Sequence, residues 1–349
     1  MTLRTDALTA DDRVLRGARW SLRFSRRAAV VCGILAAILL VLLVAALMIG
    51  EYVVTPAALI ETLLGRPPER LDEFFVLGRR LPRSLVAIVV GASLAVAGAV
   101  FQSLTRNPLA SPDVIGISSG ASVGAVVVML VLGGSLAQAA IGAVVGALVI
   151  AGVIVVFTAR SGLHGVQLIL TGVALSATAM AVVDYVLTQV FVASATTAQT
   201  WLVGSLQGRG WGDLVPALIA LILIIPLLVT AAPDARMMAL GDSVSTALGV
   251  RTVRARWVLL AAATLLVAVA VATAGPISFV ALIAPHIARR LAGATSFLAS
   301  GLVGALLLLA SDLLAQNIFP APIPVGVVTI TVGGAFFLWL LWREGSRRG

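Results

Sequence analysis

The sequence predicts an all-α fold, a polytopic membrane protein with about ten transmembrane helices. The first observation is composition. Of 349 residues, 60% are hydrophobic and only 11% are charged, whereas a soluble domain needs more charge to cover its surface. The second is that the apolar residues form near-continuous runs of about 20, the length that spans a bilayer as a helix. The third is that these runs do not alternate with polar residues, which excludes a transmembrane β-barrel.

The apolar segments follow one another closely from residue 28 onwards. In the fourth, Gly142 and Gly146 have the spacing of closely packed helices. The segment at 277–288 is short and is flanked by Pro276 and Pro285, so we predict a half-helix or a span completed by its flanks. The ten segments are 28–50, 84–104, 114–133, 136–158, 166–190, 214–232, 255–274, 277–288, 297–315 and 325–342.

The basic residues set the predicted orientation. The net charge is +9, and all 24 basic residues are arginines scattered at segment ends, which argues against a nucleic-acid partner. Most of them fall inside if the N-terminus is cytoplasmic, so the positive-inside rule predicts an N-in, C-in topology. The first apolar run is too long for a signal peptide. The predicted organisation is a cytoplasmic basic arm at 1–27, a transmembrane domain at 28–343 and a cytoplasmic tail at 344–349.

Two polar stretches on the predicted inner side are candidates for function. Residues 105–113 contain two prolines and form either an ordinary loop or a gate, because irregular backbone at membrane depth must be buried or line an aqueous cavity. Residues 239–249 carry an apolar residue at every fourth position, which predicts a short amphipathic helix capped by Asp242 or Ser243. That helix either lies on the lipid interface or docks into the groove of a cytoplasmic partner.

Two further stretches carry prolines or arginines that suggest a role. Residues 275–290 contain Pro285 and His286, and we favour a structural or partner-facing histidine over a metal ligand because no carboxylate or cysteine adjoins it. On the outer side, Arg80 and Arg83 are three residues apart and share one face if helical. They either pair with acidic residues of a docking partner or extend to the membrane interface.

Carboxylates within the membrane would indicate an ion-coupled carrier. Asp184 and Asp312 are the candidates, and both lie towards the outer ends of their segments. The sequence therefore argues against proton or sodium coupling.

Six motifs carry a resemblance to a known family. They are Arg80-Leu-Pro-Arg83, residues 102–113, residues 170–174, Leu240-Gly-Asp242 with Leu248-Gly249, residues 275–286 and residues 324–331. In this order they resemble the FecCD-type permeases of ABC importers, the type II permeases for iron chelates and vitamin B12. The likeness runs from about residue 30 to residue 343. Residues 107–113, 275–290 and 312–319 are most similar to the second permease subunit of ferric-enterobactin systems.

The resemblance implies a type II permease fold with ten helices per subunit and two permease subunits around one pathway. The second permease is expected to be a paralogue, giving a heterodimer, with a homodimer possible. Two ATPase subunits on the inner side bind ATP and Mg, and a substrate-binding protein or lipoprotein docks outside. The chain itself is then expected to hold no cofactor, metal or catalytic residue, and to lie in a bacterial cytoplasmic (inner) membrane.

The resemblance also assigns roles to particular residues. Coupling to the ATPase falls to Ala239, Leu240, Gly241, Asp242, Leu248 and Gly249. Docking of the binding protein falls to Arg80 and Arg83, with Gln316 where the vitamin B12 permease has a third arginine. The gate corresponds to Asn107, Pro108 and Leu109, and to Gly165 and Val166 after the fourth helix. Because Gln316 departs from the pattern, docking is expected to be asymmetric.

The predicted function is ATP-driven import of a ferric siderophore, enterobactin-like in kind. Import of haem or cobalamin by the same family stays an alternative. An ion-coupled secondary transporter and a non-transporting structural membrane subunit are alternatives of other classes.

Overall fold

The computed structural model describes residues 12–16, 21–158, 165–239, 241–293 and 295–345 as a bundle of α-helices that begins with a short hairpin. Strands β1 and β2 pair antiparallel, with Asp12 opposite Ser25. The elements in chain order are β1 (Asp12–Arg16), β2 (Ser21–Ser25), α1 (Arg26–Met48), α2 (Pro56–Leu63), α3 (Arg70–Glu73), a π-helical segment (Phe74–Arg80), α4 (Leu81–Thr105), α5 (Ile117–Val126), a second π-helical segment (Val127–Val131), α6 (Leu136–Thr158), α7 (Gly165–Thr188), α8 (Val192–Leu202), α9 (Trp211–Met238), α10 (Asp242–Ala247), α11 (Thr252–Ala274), α12 (Val280–Ala292), α13 (Phe297–Asn317) and α14 (Val325–Gly345).

Each predicted apolar segment contains a helix. In the described part of the chain, seven helices are long and apolar enough to cross a membrane. The remaining segments hold the shorter apolar helices Ile117–Val131 and Val325–Leu340, and α12. The predicted all-α membrane fold is therefore confirmed, while ten spans with both termini inside stay a prediction.

The short segment predicted at 277–288 is the 13-residue helix α12, which begins at Val280. Pro285 lies inside this helix and does not flank it. Because proline lacks an N–H, the carbonyl of Ala281 loses its usual helical donor. That carbonyl lies against Gly98 of α4, where a β-carbon would overlap it. Gly98 thus allows the two helix backbones to cross closely at this carbonyl. At about 1.5 Å per residue, α12 is too short to span the bilayer by itself.

The structure adds elements that hydropathy did not predict. The basic arm contains the β1–β2 hairpin, and the outer loop contains α2 and α3. Thr55 caps α2, since its Oγ1 accepts a hydrogen bond from Ala58 N at 3.3 Å. Helix α8 is rich in serine and threonine, which have modest helix propensity and form no apolar run. Short polar helices give no hydropathy signal, so only tertiary structure reveals them.

Helix α4 is the centre of the bundle and packs against α9, α11, α12 and α13. Its buried face consists largely of glycine, alanine and valine. Gly91 meets Gly304 of α13 so closely that a β-carbon on either would overlap the other's carbonyl oxygen. Small residues therefore bring α4 and α13 together, as is usual where helices associate in lipid.

Helices α5 and α6 cross in the same way. A β-carbon on Gly124 would overlap the carbonyl oxygen of Gly142, and one on Gly146 would overlap that of Gly120. The close packing predicted for Gly142 and Gly146 is confirmed.

Helices α1 and α7 lie at the periphery and bury few of their side chains. Helix α1 packs mainly on α13, whereas α9 packs on α4 and α11. The exposed residues of α1 are almost all apolar, which suits contact with lipid.

Candidate functional site

The turn after α4 is ordered by its own polar side chains. Arg106 has a left-handed backbone (φ 53°) and ends the helix. Asn107 Oδ1 accepts a hydrogen bond from Leu109 N at 2.9 Å, and Thr105 Oγ1 accepts one from Asn107 N at 3.3 Å. Such local bonds compete with helical ones and favour turns. The predicted gate residues Asn107, Pro108 and Leu109 thus form one compact turn at the C-terminal end of α4.

A carboxylate that the sequence did not single out holds the far end of this turn. Asp113 accepts a hydrogen bond from Ser118 Oγ at 2.6 Å and another from the backbone N–H of Phe279. Burial raises the pKa of the Asp113 carboxyl, and the two donors partly offset that rise. Phe279 has a left-handed backbone (φ 69°), and its side chain packs against Gly333 of α14. Asp113 therefore joins the turn and α5 to the start of α12.

The amphipathic helix predicted at 239–249 is present as the shorter helix α10, Asp242–Ala247. Gly241 (φ 108°) and Gly249 (φ 84°) flank it in backbone conformations that favour glycine. Gly241 is the N-cap, and Asp242 is the first helical residue. The prediction that Asp242 or Ser243 caps this helix is therefore wrong.

Helix α10 is fixed at its base and apolar on its outer face. Ser245 is buried, and its Oγ lies 2.8 Å from the carbonyl oxygen of Met237 and 2.6 Å from that of Gly241. Val244 is 45% exposed and Leu248 is 58% exposed. Within the described residues, nothing covers this pair, so α10 presents a small apolar knob.

The residues that flank α10 pack against the end of α4, close to the Asn107 turn. Met238 ends α9, and Val250 and Ala255 lie just beyond α10. These three side chains form one buried cluster, and Leu104 packs against it. Leu104 precedes the Asn107 turn by three residues. The segments on either side of α10 therefore pack against the C-terminal end of α4.

Helix α12 is tied to α4 by a polar bridge. Gln102 Nε2 donates to the carbonyl oxygen of Leu282 at 3.0 Å, and Arg289 Nη2 donates to Gln102 Oε1 at 2.5 Å. The His286 ring makes an edge contact with Phe336 of α14, with 6.0 Å between ring centroids. His286 thus lies between two helices of the chain, as a structural histidine would.

At the end of the bundle that is predicted to face outward, Arg83 has a carboxylate partner within the chain. Its Nε and Nη2 donate to the two oxygens of Asp312 on α13 at 2.9 and 2.7 Å. Gln316 Nε2 donates to Asp312 Oδ2 at 2.6 Å. Asp312 is only 2% exposed. The Asp312 carboxylate, a candidate for ion coupling by sequence, is therefore engaged in a buried ion pair.

Arg80 also has hydrogen-bond partners within the chain, and they lie at the end of α1. Its Nη1 donates to the carbonyl oxygens of Leu47 and Met48 at 2.9 and 3.2 Å, and its Nη2 donates to that of Tyr52. It therefore satisfies carbonyls at the C-terminal end of α1, where a cation is favoured. Arg80 ends the first π-helical segment and Arg83 lies in α4, and the two side chains bind α1 and α13 respectively. The two arginines therefore contact different helices of the chain, and their role in docking a partner stays a prediction.

Arg79 is the exposed arginine of this group. Its guanidinium lies 5.3 Å from the centroid of the Phe74 ring. Arg79, Arg80, Arg83 and Gln316 all line one outer cleft of about 520 Å³. The structure thus gathers the predicted docking residues around one cavity and adds a neighbour that we had not assigned a role.

For the remaining predicted site residues, the structure shows only the element in which each one lies. Gly165 and Val166 begin α7 and do not lie in a loop. Ala239 is the C-cap of α9. Leu240 lies outside the described residues.

The chain is similar over most of its length to known membrane transport proteins. The model of the FecCD transport family matches residues 38–343. The ferric enterobactin transport system permease protein FepG of Escherichia coli K12 is 38% identical over 327 residues, covering 93% of this chain and 99% of that protein. The Fe(3+)-citrate import system permease protein YfmE of Bacillus subtilis is 38% identical over 320 residues, covering 90% and 95%. A solved inward-facing structure, assigned to the metal-chelate type of ABC transporter, superposes with a TM-score of 0.82 at 28% identity, covering 90% of this chain and 99% of that one.

Proposed function

The chain belongs to the FecCD transport family and is a multi-pass inner-membrane permease, and from that premise we propose that it imports a ferric siderophore as one subunit of an ABC importer. The observation that carries the proposal is the likeness to the ferric enterobactin permease, which extends over nearly the whole of both proteins. An enterobactin-like chelate is the cargo that this likeness favours. Ferric citrate is a second candidate, because the citrate permease YfmE is equally identical over a similar length.

The energy for transport comes from partner subunits. The chain contains no lysine, so it cannot form the lysine-containing P-loop that binds nucleotide. We therefore assign ATP and Mg to a separate pair of ATPase subunits. A second, paralogous permease subunit would complete the pathway, and a binding protein would deliver the chelate.

The knob on α10 is the proposed contact with the ATPase. Val244 and Leu248 offer an exposed apolar face of the kind that docks into a groove. The cluster of Met238, Val250 and Ala255 with Leu104 then passes a movement of α10 to α4. The turn at Asn107 lies at the end of that path and would open or close the inner side.

The outer cleft is the proposed dock for the binding protein. Arg80 and Arg83 shape this cleft through their contacts with α1 and α13. Arg79 is exposed and has an aromatic ring as its described contact, so its charge is available to an acidic partner. We therefore propose that Arg79, rather than Arg80 or Arg83, supplies the main positive charge for docking.

The decisive experiment is uptake of iron-labelled ferric enterobactin and ferric citrate in cells that lack this chain. Wild-type chain should restore uptake of one of them. Val244→Asp places a charge on the apolar face of α10 and should lower uptake more than tenfold at unchanged abundance in the membrane. The matched control, Thr246→Asp, adds the same charge at an exposed position two residues from both Val244 and Leu248, hence off their shared face, and should retain uptake. Full uptake with Val244→Asp would refute the assignment of α10, and uptake of neither chelate would refute the cargo.

A further inference from the structure

A lateral cleft of about 590 Å³ lies at the inner ends of α1, α4, α9 and α13. It opens where α1 packs against α13 and α9 packs against α4. Ser25, Ala28, Ala29 and Cys32 form its α1 wall, and their spacing places them on one helix face. Neither the proposed transport pathway nor the exposed Val244–Leu248 face of α10 assigns a role to this cleft.

The cleft carries a single kind of charge. Arg236, near the end of α9, is the one charged residue in its described lining. Asp234 is two residues away, hence on the opposite side of the helix, and does not line the cleft. Arg236 is an exposed residue, and the described lining contains no carboxylate that would neutralise its charge.

Hydroxyl groups line the same cleft as this cation. Ser25 Oγ and Ser296 Oγ cap α1 and α13 by accepting from Ala28 N and Ala299 N. A serine hydroxyl that accepts in this way still has its own hydrogen to donate. Thr295 also lines the cleft. The lining of the cleft therefore offers a cation and hydroxyl donors, which suits an anion with several acceptor oxygens.

The rest of the cleft and its surroundings are apolar. Ala28, Ala29, Ala232 and Leu298 line it, and α1 and α9 expose valine and isoleucine side chains along their length. A ligand that fits has an anionic end and a hydrocarbon end. In the predicted orientation, the cleft lies at the level of the inner leaflet, where anionic phospholipids concentrate.

We propose that this cleft binds one anionic phospholipid, with its phosphate on Arg236 and the neighbouring hydroxyls and an acyl chain along α1 and α9. Because no acidic side chain lines the cleft, the amine of a zwitterionic headgroup gains no partner there. The bound lipid would steady the end of α9, from which α10 projects after a few residues. This inference does not depend on which chelate the transporter carries.

The test is lipid titration of the full-length chain, purified in detergent with its co-purifying subunits and stripped of lipid. Bound phosphatidylglycerol is counted by native mass spectrometry, with phosphatidylcholine and soluble glycerol 3-phosphate as the comparison arms. One arginine–headgroup contact contributes about 1 kcal/mol, so Arg236→Gln should weaken phosphatidylglycerol binding about fivefold. The matched control, Arg254→Gln, removes the same charge from an exposed position outside the cleft lining and should leave binding unchanged.

A second variant tests the cleft without changing its charge. Ala29 is an exposed lining residue, so Ala29→Phe should obstruct the cleft while the melting temperature stays the same. Phosphatidylglycerol binding should fall in this variant too. Equal binding of phosphatidylcholine, equal effects of the two arginine variants, full binding in Ala29→Phe or displacement by glycerol 3-phosphate would each overturn the proposal.

Discussion

The ion pair between Arg83 and Asp312 allows a quantitative test of how the outer side is held together. The two bonds are bidentate, at 2.7 and 2.9 Å, and the side chains are 16% and 2% exposed. Removing one partner of a buried pair costs about 3–5 kcal/mol, because the other charge is left without compensation. Arg83→Gln leaves the buried Asp312 carboxylate with only Gln316 and should cost that amount. Asp312→Asn leaves an arginine with some access to water and should cost less, about 2–3 kcal/mol.

The double variant, which combines Arg83→Gln with Asp312→Asn, distinguishes loss of the ion pair from nonspecific destabilisation. When both charges are removed, neither is stranded, so the double variant should be no less stable than Arg83→Gln. The coupling free energy from the double-mutant cycle should be about 2 kcal/mol. The assay is chemical or thermal unfolding of the purified protein in one detergent at one lipid content. Additive costs, with a coupling below about 0.5 kcal/mol, would refute the role assigned to this pair.

Three further predictions concern docking, packing and pH. Arg79→Gln should weaken binding of an acidic docking protein about fivefold, measured by surface binding at low and high salt, and a loss that does not depend on salt would contradict the charge assignment. Gly146→Ala should lower stability by about 1–3 kcal/mol, because its β-carbon meets backbone of α5, whereas Gly152→Ala in the same helix meets open space and should be neutral or stabilising. Burial raises the pKa of the Asp113 carboxyl above its ordinary value of 3.8, so the stability that this group contributes is fully present below pH 3.8 and is lost as pH rises through the raised pKa. Because Asp113→Asn does not titrate, the melting temperature of the wild type relative to this variant should fall over that range, and a constant difference would refute the shift.

Hydropathy and spacing predicted the main framework because lipid imposes strong rules on sequence. A spanning helix needs a continuous apolar run, so α1, α6 and α11 are visible without any knowledge of their neighbours. The Gly142–Gly146 spacing likewise predicted a close helix crossing, since only small residues permit one. The short helix α10 was also predicted, although its cap was assigned to the wrong residue.

Long-range polar partners could not be predicted in this way. Arg83 and Asp312 are 229 positions apart, and no local pattern links them. Arg80 binds carbonyl groups, which every residue possesses and which therefore leave no trace in the sequence. Asp113 was missed because it was regarded as part of a loop, while its partner Phe279 belongs to another segment. In each case the sequence located the polar stretch and the tertiary structure determined what it binds.

The most direct test of the account is ATP-driven transport by the purified complex. The chain, with its co-purifying permease and ATPase subunits, is reconstituted in proteoliposomes together with the binding protein and iron-labelled chelate. We predict that the chelate crosses the membrane only when ATP and Mg are present on the α10 side, and that Val244→Asp abolishes this transport while the loaded binding protein still docks. Transport that proceeds without ATP, or that continues in the Val244→Asp complex, would contradict the account.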